Sequence, residues 1–174
     1  VQADHGWSLV IGTTDLAALV DSGVYTIHAA ATDSVGNTGF SDRSFSVDLS
    51  GPSMTLTIDS ISQDTGSSSN DFITHDTALA INGTLGAALG AGELMQVSLD
   101  GGASWIDHHV SGTAWTYIDN RVLVDGNYDY AVRVIDSLGN LGSTASQLVT
   151  IDTSAPASTI AITSINTANT ELTV

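Results

Sequence analysis

Residues 124–140 read "VDGNYDYAVRVIDSLGN". From Tyr128 to Val134 large apolar and polar residues alternate, which is the period-2 pattern of a half-buried β-strand. The run ends in Asp136, Ser137, Gly139 and Asn140, residues that turn a chain. An earlier stretch does the same: an alternating run from Tyr25 to Ala31 leads into "TDSVGN" at 32–37. Asp33 and Asp136 are 103 positions apart, as are Tyr25 and Tyr128, Gly36 and Gly139, and Asn37 and Asn140. Further on, "VDLSGP" (47–52) answers "IDTSAP" (151–156), with Asp48 and Asp152 separated by 104. Trp7 and Trp115 correspond at a slightly longer offset.

A repeat of about 104 residues is close to the ~100 of an immunoglobulin-like sandwich. The expected fold class is all-β, as tandem immunoglobulin-like β-sandwich repeats. On this phase, residues 1–49 are the C-terminal half of one copy, 50–153 a complete copy, and 154–174 the start of a third. The proline-bearing "D-x-S-x-P" stretches are the linkers, since proline donates nothing to a ladder and favours extended chain before it. Strands are expected at 54–58, 78–81, 94–99, 114–118, 128–135 and 146–151. "DGG" (100–102) reads as a hairpin turn. The one helical signal is "TTDLAALVDSG" (13–23), with Thr14 or Asp15 as its N-cap.

Composition narrows the function. The net charge is −16, with no lysine and three arginines, Arg43, Arg121 and Arg133. Such a chain cannot neutralise a nucleic-acid backbone or be drawn to anionic lipid. No long apolar segment is present for membrane insertion, and no signal peptide is evident at Val1. The chain reads as an excised piece. The 17 Asp outnumber the two Glu, Glu93 and Glu171. Asp is preferred where a short carboxylate sits in a turn, to cap backbone or to hold a hard cation. An acidic surface kept for solubility is the plainer explanation. Cysteine is absent, which removes disulfides, thiolate metal sites and cysteine nucleophiles together.

The ordered motifs "QDTGSSSNDFITHDTALAINGT" (63–84), "VSLDGGASW" (97–105), "AWTYI" (114–118), "VDGNYDYAVRVIDSLGN" (124–140) and "VTIDTSAP" (149–156) resemble the tandem bacterial Ig-like repeats of giant surface adhesins, including the biofilm-associated and RTX types. The resemblance implies sandwiches strung end to end and stiffened by calcium at their junctions. It implies a secreted or cell-surface location. The partners it implies are neighbouring Ig-like repeats of the same chain, with glycans or proteins of a host cell or biofilm gripped through other regions. Carried onto this sequence, it makes Asp33 and Asp48 ligands at the end of the first half-copy. Asp64 and Asp71 join them from the next copy, with Asp76 nearby, and Asp136 and Asp152 repeat the first pair at the next junction. The third copy, "TSINTANTELTV" (163–174), lacks the acidic loop.

The residues are compatible with this. Calcium takes six to eight oxygens, and no single motif here supplies them, so two loops must combine. A lone "DSxGN" is turn chemistry; its recurrence with a linker Asp at near-constant distance favours a ligand. Asp76 also suits a cap on the strand near Ala78, and Asp100, Asp125 and Asp129 read as solvated. Catalysis has little support. His108 and His109 are adjacent, and neighbours on a strand face opposite sides. No G-x-S-x-G or H-E-x-x-H is present. The alternative function is a carbohydrate-binding sandwich, with Trp105 the tryptophan most apt to be exposed and Trp7 and Trp115 read as core.

Overall fold

A computed structural model of the chain describes residues 8–157. The third copy's missing loop and Trp7 lie outside the described residues. A four-residue helix, α1 (Thr13–Leu16), precedes the strands β1 (Val24–Thr32), β2 (Thr38–Ser46), β3 (Leu56–Ile61), β4 (Ile73–Thr74), β5 (Ala80–Leu85), β6 (Leu94–Ser98), β7 (Ile106–His108), β8 (Ala114–Ile118), β9 (Gly126–Ile135) and β10 (Leu141–Ile151). Helix α1 is much shorter than the 13–23 signal. Gly12 stands at its N-cap with no side-chain cap, in place of Thr14 or Asp15.

β1 and β2 form an antiparallel hairpin in unbroken register, from Val24 opposite Ser46 to Thr32 opposite Thr38. From Leu56 onward two sheets face each other, one ordered β3-β5-β8 and the other β4-β10-β9-β6-β7. Leu56, Ile81, Leu85 and Trp115 from the first sheet meet Met95, Val97, Tyr130, Val132, Val134, Val149 and Ile151 from the second. The alternation of β9 decides this. Tyr130, Val132 and Val134 point inward and are almost fully buried, while Asp129 stays exposed. The chain is all-β, as expected.

Two strands escape the sequence pattern. β4 has two residues and is held in parallel against the end of β10, Ile73 opposite Thr150 and Thr74 opposite Ile151. β7 pairs three residues with β6. Neither is long enough for a period to show. β10 also starts five residues before the expected 146; its first part, "LGSTA", is mostly small or polar and carries a register shift between Leu141 and Thr144, so no alternation shows there.

One buried polar group spans the core. Asp119, with a side chain wholly shielded from solvent, accepts hydrogen bonds from Tyr130 Oη at 2.6 Å, Arg121 Nη2 at 2.7 Å, and Arg121 Nε and backbone N–H at 3.0 and 2.9 Å. Burial pushes its carboxyl upward, but the Arg121 and Tyr130 donors outweigh that and hold it below the usual range. Burial and the Asp119 carboxylate push the Tyr130 phenol upward. A satisfied buried carboxylate is tolerated; one stripped of its cation is not. We expect Arg121→Ala to cost about 3 kcal/mol or more by urea unfolding, and Tyr130→Phe about 1–2 kcal/mol. The Asp119 contribution has a definite pH dependence: with its folded carboxyl depressed, it is present above the ordinary carboxylate range and fades as pH falls through the lower folded value.

Candidate functional site

The two "DSxGN" stretches are hairpin turns with one shared hydrogen-bond pattern. Asp33 Oδ1 accepts the backbone N–H groups of Val35 and Asn37, both at 2.9 Å, and Oδ2 accepts Asn37 Nδ2 at 2.8 Å. Asp136 Oδ1 accepts from Leu138 and Asn140 N–H at 2.8 Å, and Oδ2 from Asn140 Nδ2 at 2.8 Å. Gly36 and Gly139 sit at φ +96° and +88°, a region that a Cβ disfavours. The Asn37 side chain and backbone hold the Asp33 carboxyl below its ordinary range. For Asp136, desolvation pushes upward, but the Asn140 and Leu138 donors prevail and lower it.

The hairpins correct the expected grouping of acids. Asp33 lies in the turn before β2 and Asp48 lies beyond its far end. Nine residues of strand separate them, about 30 Å at ~3.3 Å per residue. Asp136 and Asp152 flank β10 in the same way. Each sequence pair is therefore split between opposite ends of a strand. Asp48 instead meets the Asp136 turn: Asn140 Nδ2 donates to Asp48 O at 3.1 Å. Asp48, Glu93 and Asp136 line one shallow polar depression there.

Asp64, Asp71, Asp76 and Asp152 belong to the opposite pole. The loop from Asp64 to Asp71 carries the chain from one sheet to the other and ends in β4, beside Thr150 and Ile151. Phe72 O accepts Thr150 N–H and Thr74 O accepts Asp152 N–H, both at 2.9 Å. The expected combination of Asp48 with Asp64 and Asp71 is thus excluded within this copy. Asp64, Asp71 and Asp76 are brought near the linker that leaves it, at Asp152.

Most of these carboxylates work locally. Asp48 Oδ1 accepts Ser50 N–H at 3.2 Å, and Asp152 Oδ1 accepts Ser154 N–H at 3.0 Å. Asp71 Oδ1 accepts Ile73 N–H at 3.1 Å. Asp76 Oδ1 accepts Ala78 N–H at 3.0 Å, the strand cap anticipated for it. Asp64 differs. Its Oδ2 accepts Phe72 N–H at 2.9 Å, but its Oδ1 is shielded from solvent with no donor among the described residues. A buried carboxylate oxygen without a donor is costly and suits a cation. It is one ligand of the six to eight that calcium takes. Among the described residues no three acidic or histidine side chains converge tightly enough to hold a metal. The fit is therefore partial.

The linker is seated closely. A Cβ on Gly51 would stand 2.1 Å from Leu141 O, and one on Gly142 would stand 2.3 Å from Pro52 O. Pro52 is buried, and Ser143 Oγ donates to Met54 O. Only glycine permits backbones this near. Two acids at the joints, Glu93 and Asp21, escape the sequence reading, and a third, Asp125, expected to be merely solvated, accepts from Thr153. The last two carry a visible signal, a Val-Asp pair shortly before each repeated tyrosine.

The sugar-stacking candidate fares poorly. Trp115 is core at 4% exposure. Trp105 is half-buried, and the Arg133 guanidinium lies 4.1 Å from its ring centroid. Arg133 is itself held by Gln96 Oε1 at 2.8 Å. One stacking face is thus occupied. His108 packs edge-on against Tyr117, and desolvation lowers its pKa; His109 is exposed.

The sequence profile of the bacterial Ig-like domain family matches residues 52–153. No curated protein matches the chain. The joint has two measurable consequences. Carboxyl resonances of Asp33 and Asp136 should titrate below 3.8 by NMR, and both turns should loosen as pH falls through those lowered values. Gly142→Ala should destabilise the copy by about 1–3 kcal/mol in chemical denaturation, since the linker backbone must move.

Proposed function

The chain belongs to the bacterial Ig-like domain family, and from that premise we propose that it is a spacer repeat of a large secreted or surface-bound bacterial protein, an adhesin that supports attachment or biofilm formation. Its work is mechanical. Each copy adds length, and each joint limits how the next copy can point. The observation that carries this reading is the seating of the Asp48–Pro52 linker against the Asn140–Gly142 turn, with no room for a side chain on either glycine. A free linker would sample many angles; one packed on both sides samples few.

Calcium belongs to this proposal at the pole where Asp64, Asp71 and Asp152 gather. The orphan Asp64 Oδ1 supports it. Asp64, Asp71 and Asp152 would hold the ion together with oxygens of the next copy. It would supply positive charge at this acidic pole, so binding and a fixed interdomain angle become linked. Extracellular calcium modules bind at about 10⁻⁴–10⁻³ M, a range in which the rod is stiff outside cells and loosened by chelator. No substrate is turned over.

Calcium titration by calorimetry, with thermal melts in calcium and in EDTA, tests this. Saturable binding with a raised melting temperature is expected. Asp64→Asn should weaken it at least ~tenfold, while Asp136→Asn should leave affinity intact. Absence of binding heat, together with superimposable melts, removes calcium from the reading.

A further inference from the structure

The two repeated tyrosines each close a small ring at the start of a hairpin. Tyr128 Oη donates to Val124 O at 3.0 Å and accepts Val124 N–H at 2.9 Å. Tyr25 Oη accepts Val20 N–H at 2.8 Å. A tyrosine hydroxyl bonded to backbone a few residues upstream is a known corner of Ig-like sandwiches. The residue after the bonded valine is where this chain adds something of its own. In both copies it is an aspartate whose carboxylate leaves its own loop and takes hold of the linker.

Asp21 Oδ1 accepts Leu49 N–H at 2.6 Å, and its Oδ2 accepts Ser50 Oγ at 2.8 Å. Asp125 Oδ1 accepts Thr153 N–H at 2.9 Å and Thr153 Oγ1 at 2.6 Å. Leu49 and Thr153 each stand one residue past the linker aspartate, Asp48 or Asp152. The grip therefore falls on the same linker position twice. The Leu49 N–H, ahead of the Ser50 hydroxyl, holds the Asp21 carboxyl below its ordinary range. A carboxylate accepting a backbone N–H is among the stronger hydrogen bonds available at a surface.

We propose that Asp21 and Asp125 are latches that set the direction in which the linker leaves each copy, that Tyr25 and Tyr128 are positioning residues acting through them, and that the latch closes without a metal. The tyrosine fixes the valine, the valine aims the next side chain, and that side chain fixes the linker. On the other side Asn140 holds Asp48 O. The linker is thus tied to the copy behind it and to the copy ahead. The inference deepens the spacer reading and rests on it for its purpose, but not on calcium.

The test is amide hydrogen exchange by NMR on the full chain, once in EDTA and once in calcium. In Asp125→Ala the Thr153 amide should exchange about tenfold faster, the loss of one charge-assisted hydrogen bond. Amides of Val132 and Val149 should hold within about twofold, because Asp125 is exposed and no core contact is lost. Tyr128→Phe should speed Thr153 alike, and the double variant should be no faster than the faster single. These effects should be the same in EDTA and in calcium. Unchanged Thr153 exchange in Asp125→Ala overturns the latch. Protection of Thr153 that collapses in wild type on adding EDTA overturns its independence from metal, whatever the calorimetry shows. Tyr128→Phe that leaves Thr153 untouched overturns the tyrosine's part. Should that variant unfold, Tyr25→Phe read at the Leu49 amide decides the same question.

Discussion

The antiparallel pairing of β9 with β10 is the constraint on which the rest hangs. The two strands sit inside the larger sheet, with β6 on one side and β4 on the other. They carry about a third of the core cluster on their inner face, through Tyr130, Val132, Val134, Val149 and Ile151. Because they run in opposite directions, their turn lies at one pole of the sandwich and their free ends at the other. The turn meets the incoming linker, and the free ends release the outgoing one. In the proposed tandem array each copy takes in its neighbour at one end and presents the next at the other, which this arrangement allows. The β1–β2 hairpin has the same turn and the same outgoing linker geometry.

The many aspartates take their meaning from this frame. A carboxylate with short reach bonds backbone N–H groups within a few residues, and most of those at the joints do so. Asp33 and Asp136 fold their own turns, Asp48 and Asp152 bend the linker, and Asp76 caps a strand entry. Charge of −16 is therefore compatible with an ordered backbone, because much of it is hydrogen-bonded locally. Asp64 departs from the rule, with one oxygen shielded and unmatched. It stands in the loop that crosses between the sheets.

The core is organised differently. Asp119 is buried, yet every strong donor near it is turned inward: the Tyr130 hydroxyl, the Arg121 guanidinium and the Arg121 backbone. One of the three arginines in the chain is committed there, and a second covers Trp105. Both cations thus act as structural pieces. The same aromatic-rich β9 carries Tyr128, whose hydroxyl shapes the corner from which Asp125 reaches the linker. Core strand and joint thus lie within a few residues of each other in the chain.

The all-β class, the period of about 104 residues and the inward row of β9 were legible in the chain itself. Repetition and period-2 alternation are local patterns, and burial of an alternating face follows from them. The turn chemistry of "DSxGN" was legible for the same reason. The separation of Asp33 from Asp48 was not, because spacing along a chain does not say on which end of a strand a residue falls. β4 and β7 were too short to show a period, and β4 exists only because β10 offers it an edge. The closeness of Gly51 to Leu141 and the reach of Asp125 to Thr153 join segments far apart in sequence. Those contacts depend on the register of antiparallel strands, which no local pattern encodes and which packing of the two sheets alone decides.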